Sequence, residues 1–322
     1  MTLSLEHQEG LWLLWMGVSA LLTSLWFAVS WKRRNAQANS LLTGGLVLLL
    51  GVICGAVGAK LFFILFRLHM FSFARLGEWL WPLRVENVSY YGGIAGVCFG
   101  VFLTAKLTRQ NPGKMLNTFA PMLAFLAAMA RFAEAFLGYT GVGVYLDEEL
   151  AFPLAVRFTW DGEWFEYYLA VFVFEGIFSL VACIISLCHK NETDRLRRTL
   201  FYLCLPQVLF ESMRAQSIVW LFVRVEQLLC FVFCELILAY YALKTGPRSF
   251  RNWVPALVGL LVCGLLITGE FALDGKIDFG DQEIPNQLIY GIYVVLLALI
   301  AVMEHIGHRR MISRKAQEKP EQ

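Results

Sequence analysis

The sequence predicts an all-α, polytopic integral membrane protein of about nine spans, with its N-terminus outside and its C-terminus in the cytoplasm. Three observations carry that expectation. Of 322 residues 58% are apolar and only 16% are charged, more apolar surface than a soluble domain of this length could bury. Runs of roughly 20 apolar residues, long enough to cross a bilayer, recur from one end to the other. Basic residues gather in every second loop, the pattern that places those loops in the cytoplasm.

Taken in order, the first run is Leu11–Trp31. It is too long for a cleavable signal peptide, and Lys32-Arg33-Arg34 follows it as a stop-transfer flank. The second, Leu41–Phe66, contains Gly55, Ala56, Gly58 and Ala59 ahead of Lys60, small residues that let a neighbouring helix approach. The third, Tyr90–Leu107, opens with Tyr90-Tyr91-Gly92-Gly93, and Lys106 at its end is joined by Arg109 and Lys114 after it. Adjacent helix glycines cost about 1 kcal/mol each relative to Ala, so a ligand or a helix backbone should approach there. The fourth, Thr118–Leu137, carries Ala120-Pro121, Arg131 and Glu134. The fifth, Tyr167–Cys188, holds Glu175 and precedes Lys190, Arg195, Arg197 and Arg198. The sixth, Thr199–Arg214, is short, contains Pro206 and closes on Glu211 and Arg214.

The seventh, Ile218–Leu243, carries Arg224, Glu226 and Glu235 and is followed by Lys244, Arg248 and Arg251. Val254–Phe271 and Gln287–Met303 complete the set, the last trailed by Arg309, Arg310, Arg314 and Lys315. The intervening loops hold acids instead: Asp147, Glu148 and Glu149 in one, Asp274, Asp278, Asp281 and Glu283 in another. One outer loop runs against the rule, with Arg67, Arg75 and Arg84.

Several function classes fall away. The net charge of +2 arises from cytoplasmic loops and calls for no nucleic-acid partner. The eight cysteines lie in spans or at their ends, so no disulfide framework is expected, and the turn-spaced Cys230 and Cys234 read as packing. There is no G-x-S-x-G elbow, Walker loop or H-E-x-x-H. His305 and His308 fall short of a metal site, and the acids of 274–283 lack calcium-loop spacing.

What remains is the charge inside the spans. An Arg at the bilayer centre costs about 2.5–3.5 kcal/mol on the insertion scale, so such residues usually face a polar interior. Arg131 and Glu134 share a helical face and should pair. Arg131 sits about seven residues before Gly138, roughly 10 Å below the outer helix end, a depth suited to a lipid headgroup. Its planar fork suits a phosphate; an internal ion pair locking helices together is the alternative. Lys60, Glu175, Glu211, Arg214, Arg224, Glu226 and Glu235 add further buried charge. Gly138, Gly141 and Gly143 leave backbone donors free to point at an anion.

Together these segments resemble the prolipoprotein diacylglyceryl transferase family, over roughly residues 40 to 245. Gly55-AVGAKLFFILF is similar to the family's Gly-Ala-Arg/Lys helix, and Tyr91-Gly92-Gly93 to its His/Tyr-Gly-Gly motif. Ala120-Pro121 with Arg131 resembles its Ala-Pro…Gly-Arg signature helix. Glu175 resembles its Tyr-Glu position, and Glu211 with Arg214 resembles Arg-x-x-x-Glu-x-x-Arg. The chain is a divergent member by this reading: it has Arg131-Phe-Ala-Glu134 where Arg-x-Gly-Asn or Arg-x-Ala-Cys is common, and Gln207 where an Arg stands.

The resemblance implies transfer of diacylglyceryl from phosphatidylglycerol, or a related phospholipid, to the lipobox cysteine thiol of a prolipoprotein signal peptide. It implies a multi-pass protein of the bacterial cytoplasmic (inner) membrane needing no metal or soluble cofactor. Carried over to this chain, it makes Tyr91, Arg131, Glu134 and Glu211 the catalytic candidates. Lys60, Gly92, Gly93, Glu175 and Arg214 become the substrate-binding ones. The transferase-like body should span 1–245, with additional spans and a basic tail in 246–322. Two other readings stand beside this one: a non-catalytic lipid- or partner-binding protein on the same helices, and a transporter, for which only the Pro206 break argues.

Overall fold

The computed structural model describes residues 2–3, 8–35, 39–67, 88–159, 165–189, 192–220, 223–246, 249–277 and 285–317. Arg75, Arg84, Lys190, Arg248, Asp278, Asp281 and Glu283 lie outside the described residues, as does the side chain of Lys315. The chain forms two compact units, one of residues 1–203 with 213–220, the other of 204–212 with 221–322.

The fold is all-helical in its body. Among the described residues the long helices are α1 (Glu9–Arg34), α2 (Ser40–Phe66), α3 (Tyr90–Leu107), α4 (Pro112–Ala133), α5 (Val171–Cys188), α6 (Arg195–Met213), α7 (Val225–Thr245), α8 (Phe250–Leu273) and α9 (Asn286–Gln317). By length and composition eight of the helical segments can cross a membrane, which makes this a multi-pass membrane protein. The sixth helix, α6, carries Arg195, Arg197, Arg198 and Glu211 and falls outside that set.

Asn39, Ser89 and Asn111 start α2, α3 and α4 by accepting hydrogen bonds from the backbone N–H groups of Leu42, Gly92 and Lys114. α4 is the most buried span and forms the centre of the first unit. Phe119, Met122 and Leu123 of α4 pack with Phe27 and Trp31 of α1 and Val101 of α3. Apolar side chains such as Leu13, Leu14, Leu25, Leu49 and Leu61 point outward, where a bilayer would cover them.

The tightest contact is the seam between α2 and α3. A Cβ at Gly92 would lie 2.6 Å from the Gly58 carbonyl oxygen, one at Gly100 would lie 2.5 Å from that of Leu50, and one at Gly96 would overlap that of Cys54. The small-residue spacing 92, 96, 100 thus brings two backbones together along about two turns, the usual device where water does not drive helix association.

A small sheet, with strands β1 (Thr2–Leu3), β2 (Tyr145–Leu146), β3 (Ala155–Thr159) and β4 (Phe165–Leu169) in the order β1-β3-β4-β2, caps the first unit. β3 pairs antiparallel with β4 from Ala155↔Leu169 to Thr159↔Phe165, and β1 joins parallel to β3. The fifth span was expected from Tyr167. It begins at Val171 because Tyr167–Leu169 belong to β4.

In the second unit, α7, α8 and α9 pack together. Buried Glu304 of α9 accepts from Tyr241 Oη at 3.1 Å, and His308 stands edge-on to the Tyr241 ring.

Candidate active site

Three local features bring charge to one end of α4. The α-helix ends at Ala133 and tightens into a 3-10 turn over Glu134–Phe136, which keeps Glu134 over Arg131. Gly138 then takes a left-handed φ of 58°, a conformation that costs glycine little. The chain folds back so closely that a Cβ at Gly141 would lie 2.9 Å from Glu134 Cβ. On α5, Gly176 lets the Phe132 ring lie against the helix backbone, with its Cδ1 2.6 Å from where a Cβ would stand. That close approach sets the preceding Glu175 beside Arg131. Arg214, just past the end of α6, is held by a backbone bridge to Gly143 and by the Ala215 N–H donating to the Val142 carbonyl at 3.1 Å.

The four side chains close an alternating ring. Arg131 Nη1 donates to Glu134 Oε1 at 2.5 Å, and Arg131 Nε lies 3.4 Å from Glu175 Oε2. Arg214 grips Glu175 with both ends of its fork, Nε to Oε1 at 3.1 Å and Nη2 to Oε2 at 2.5 Å. Its Nη2 also donates to Glu134 Oε2. Two guanidiniums and two carboxylates sum to zero charge, which is what lets them sit in a site where Glu175 is 1% and Arg131 2% exposed. Glu134, at 13%, is the most open of the four. Tyr90 completes the site: Arg131 Cζ lies over its ring, 3.5 Å from the centroid, and its hydroxyl donates to the Ala127 carbonyl at 3.0 Å.

Of the nine residues expected from sequence, Arg131, Glu134, Glu175 and Arg214 therefore meet. Tyr91 adjoins them through the Tyr90 ring, with centroids 5.1 Å apart, and its hydroxyl donates to the Leu203 carbonyl at 3.3 Å. Gly92 lies in the α2–α3 seam, and its N–H is held by Ser89 Oγ. Gly93 has more room, with the nearest atom 3.7 Å from a Cβ position. Lys60 is buried on α2 with its ammonium 5.6 Å from the Phe63 ring centroid. Glu211 belongs to the second unit, where Gln207 Nε2 donates to its Oε2 at 3.2 Å and Arg224 Nη1 to its carbonyl at 2.8 Å. Sequence reasoning passed over Tyr90, the neighbour of the motif tyrosine. Among the described residues no cluster of three or more His, Cys, Asp or Glu has the arrangement of a metal site.

Chemically, the ring pairs two guanidiniums with two carboxylates supplied from within the chain. A guanidinium fork binds a carboxylate and a phosphate by the same parallel N–H···O bonds. Both Arg131 and Arg214 direct an arm at Glu134.

These features define a multi-pass membrane protein with a buried, charge-balanced arginine site at the end of its central helix. The chain belongs to the prolipoprotein diacylglyceryl transferase family, whose family model matches residues 10–243. It is 24% identical over 240 residues to a phosphatidylglycerol–prolipoprotein diacylglyceryl transferase of Streptococcus pneumoniae, covering 70% of this chain and 89% of that protein. It is 22% identical over 208 residues to the enzyme of the same name from Clostridium kluyveri, covering 62% of this chain and 79% of that one.

Proposed function

We propose that the protein is a diacylglyceryl transferase of a bacterial cytoplasmic membrane. It moves diacylglyceryl from phosphatidylglycerol to the lipobox cysteine thiol of prolipoproteins. The observation that carries this reading is the ring itself, in which two guanidiniums share two carboxylates, the more open being Glu134, in a chain of this family. In the reaction a carbon–sulfur bond forms at the diacylglyceryl carbon and the bond from that carbon to the phosphate oxygen breaks. The electron pair leaves with glycerol phosphate. Arg131 and Arg214 hold the phosphate and stabilise the charge that develops on it, the larger part of catalysis in sites of this kind. Glu134, released from both arginines by the phosphate, accepts the thiol proton, since a thiolate is the nucleophile. Glu175 keeps Arg214 oriented through its two-pronged contact. Tyr91, which adjoins Arg131 through the Tyr90 ring, borders the lipid, and Gly92 and Gly93 set the spacing of α2 and α3 behind it. Neither the non-catalytic nor the transporter reading is favoured by the family match.

The experiment is direct. Purified protein is given phosphatidylglycerol and a lipobox peptide, and thioether formation is followed. Product is expected from the native chain, none from Arg131→Ala and little from Arg131→Lys, because an ammonium lacks the two-pronged contact. No product under conditions where a relative works would end the proposal.

The domain and orientation readings go with it. The transferase body ends near 245, close to where the family match stops, and the loop charges support an outside N-terminus and an inside C-terminus. That orientation requires α6 to cross, with Arg195, Arg197 and Arg198 at the inner end and Glu211 at the outer. A membrane-impermeant label on a cysteine placed at Ser249 checks it, because labelling from outside would mean that α6 does not cross.

A further inference from the structure

A carboxyl sits unpartnered at the midpoint of α7. Glu235 is the central residue of that 21-residue helix, which is long and apolar enough to cross a membrane. Its Oε2 is buried and makes no hydrogen bond. The oxygen lies in a notch on α8, where a Cβ at Gly259 would overlap it. An unpaired charge in hydrocarbon costs several kcal/mol, so the resting side chain is the neutral acid, with a proton to give.

Titratable groups adjoin Glu235 toward both ends of α7. Toward the Arg224 end, a cavity of about 30 Å³ lies between α7 and α8, room for about two waters at the roughly 10–15 Å³ each needs. It extends from Gln227 and Glu270 to Cys263, about 10 Å along α8. Cys263 stands one turn past Gly259, within electrostatic reach of Glu235. Glu270 closes the far end of the cavity. Gln227 Nε2 donates to its Oε1 at 2.8 Å and the Tyr293 hydroxyl at 3.1 Å, while Arg224 Nε lies 3.6 Å from its Oε2. Arg224 and Glu270 are 23% and 14% exposed, so that end is open. Toward the Lys244 end, Cys234 is within electrostatic reach of both Glu235 and Glu304. Glu304 accepts from Tyr241 Oη at 3.1 Å beside His308, and the neighbouring His305 is exposed.

We propose that α7, α8 and α9 carry a proton path, with Glu235 as the mid-membrane station between the cavity waters and the group of Glu304, Tyr241 and His308. Glu235 yields its proton toward Glu304 and is reprotonated by cavity water, which is reprotonated in turn beside Glu270. Glu304 hands the proton on to the histidines, the side chains best suited to shuttle one. Each group returns to its starting charge, and no oxidant or reductant takes part. An ionisable group inside a span that pairs with no opposite charge is the usual mark of such a path. Glu270, Tyr293, Glu304 and His308 lie beyond residues 10–243, so the path belongs to the extra helices and does not rest on the transferase reading.

The test reconstitutes the full chain in liposomes that hold a pH-sensitive dye, with a potassium diffusion potential driving protons inward. The native chain is expected to pass protons faster than protein-free liposomes do. Glu235→Gln, which keeps the shape at Gly259, should fall to the protein-free rate, and Glu235→Asp should keep part of the flux. Cys263→Phe, which fills the cavity, should slow the flux with Glu235 in place. Dicyclohexylcarbodiimide is apolar and reacts with protonated carboxyls. The Glu235 oxygen should bond to its central carbon as the acid proton passes to its nitrogen, and the flux should stop. Native flux no faster than in protein-free liposomes, full flux in Glu235→Gln, or reagent found only on other carboxyls would each overturn the proposal. Thioether formation, measured in the same liposomes, reports on the transferase reading alone.

Discussion

Replacing Glu134 with glutamine asks whether this carboxylate stands where a lipid phosphate goes. The substitution keeps the shape but leaves one uncharged accepting oxygen where two carboxylate oxygens serve Arg131 Nη1, at 2.5 Å, and Arg214 Nη2. A ring of zero net charge becomes a ring of +1. Stranding a buried ion-pair partner costs about 3–5 kcal/mol, of which the one charge-assisted bond lost outright accounts for about 1.5–3 kcal/mol. Lipid-free Glu134→Gln protein should therefore melt well below the native chain. The same exposed charge attracts a phosphate: two unit charges 4 Å apart interact by about 4 kcal/mol at an effective dielectric of 20. Discounting most of that for the partial exposure of the site leaves roughly tenfold tighter binding, or about 1.4 kcal/mol. The assay is the thermal shift produced by glycerol phosphate and by phosphatidylglycerol, with KM and kcat of thioether formation beside it. Larger shifts, a lower KM and a lower kcat are expected of the variant. A variant that binds phosphate no more tightly than the native chain would refute the displacement argument and leave Glu134 as a structural partner only.

Other perturbations test the surroundings. Tyr90→Phe keeps the ring on Arg131 and should behave like the native chain, whereas Tyr90→Ala removes a desolvated cation–π contact of about 2 kcal/mol and should lower kcat/KM roughly 30-fold. Equal activity of the two variants would exclude the ring from the site. Gly176→Ala drives a methyl into the Phe132 ring and should destabilise by about 1–3 kcal/mol; Phe132→Leu should restore much of the loss, and a melting temperature unmoved in both would show that helix spacing does not depend on this contact. Outside the spans, burial first and then Arg198 and Arg195 hold the His189 imidazole below its ordinary value of 6.5, with Asp194 pulling the other way. The unfolded chain therefore takes up the proton first, so stability should fall as pH drops through about 6.5. Melting curves of His189→Gln at pH 5.5 and 7.5 should lack that fall.

Much of the site was legible because helical spacing is local. Arg131 and Glu134 were paired on paper by their three-residue separation, and the structure pairs them. Glu175 and Arg214 were recognisable as buried charges, but not as partners of this pair. Their meeting depends on the approach that Gly176 permits and on the backbone bridge from Gly143 to Arg214, both contacts between distant parts of the chain. Arg214 lies one residue past α6, where helical spacing no longer says which way a side chain turns. The glycines at 92, 96 and 100 could have been read as a packing seam from their four-residue repeat alone. β3 and β4 were also within reach: their alternating β-branched and aromatic residues flank Asp161-Gly162, a hairpin signal. The apolar run that follows hid them by drawing Tyr167 into a span.

The pairing of β1 with β3 ties the fold to an order of events. Thr2–Leu3 leave the ribosome long before their strand partner at Ala155–Thr159 exists. At roughly 5–20 residues per second, the early strand waits on the order of ten seconds with its backbone groups open to water. The cap of the first unit is therefore a late event in biogenesis, completed only after α1 to α4 have been placed. The same strand that seals the finished protein reports, by being paired or not, whether synthesis has passed β3.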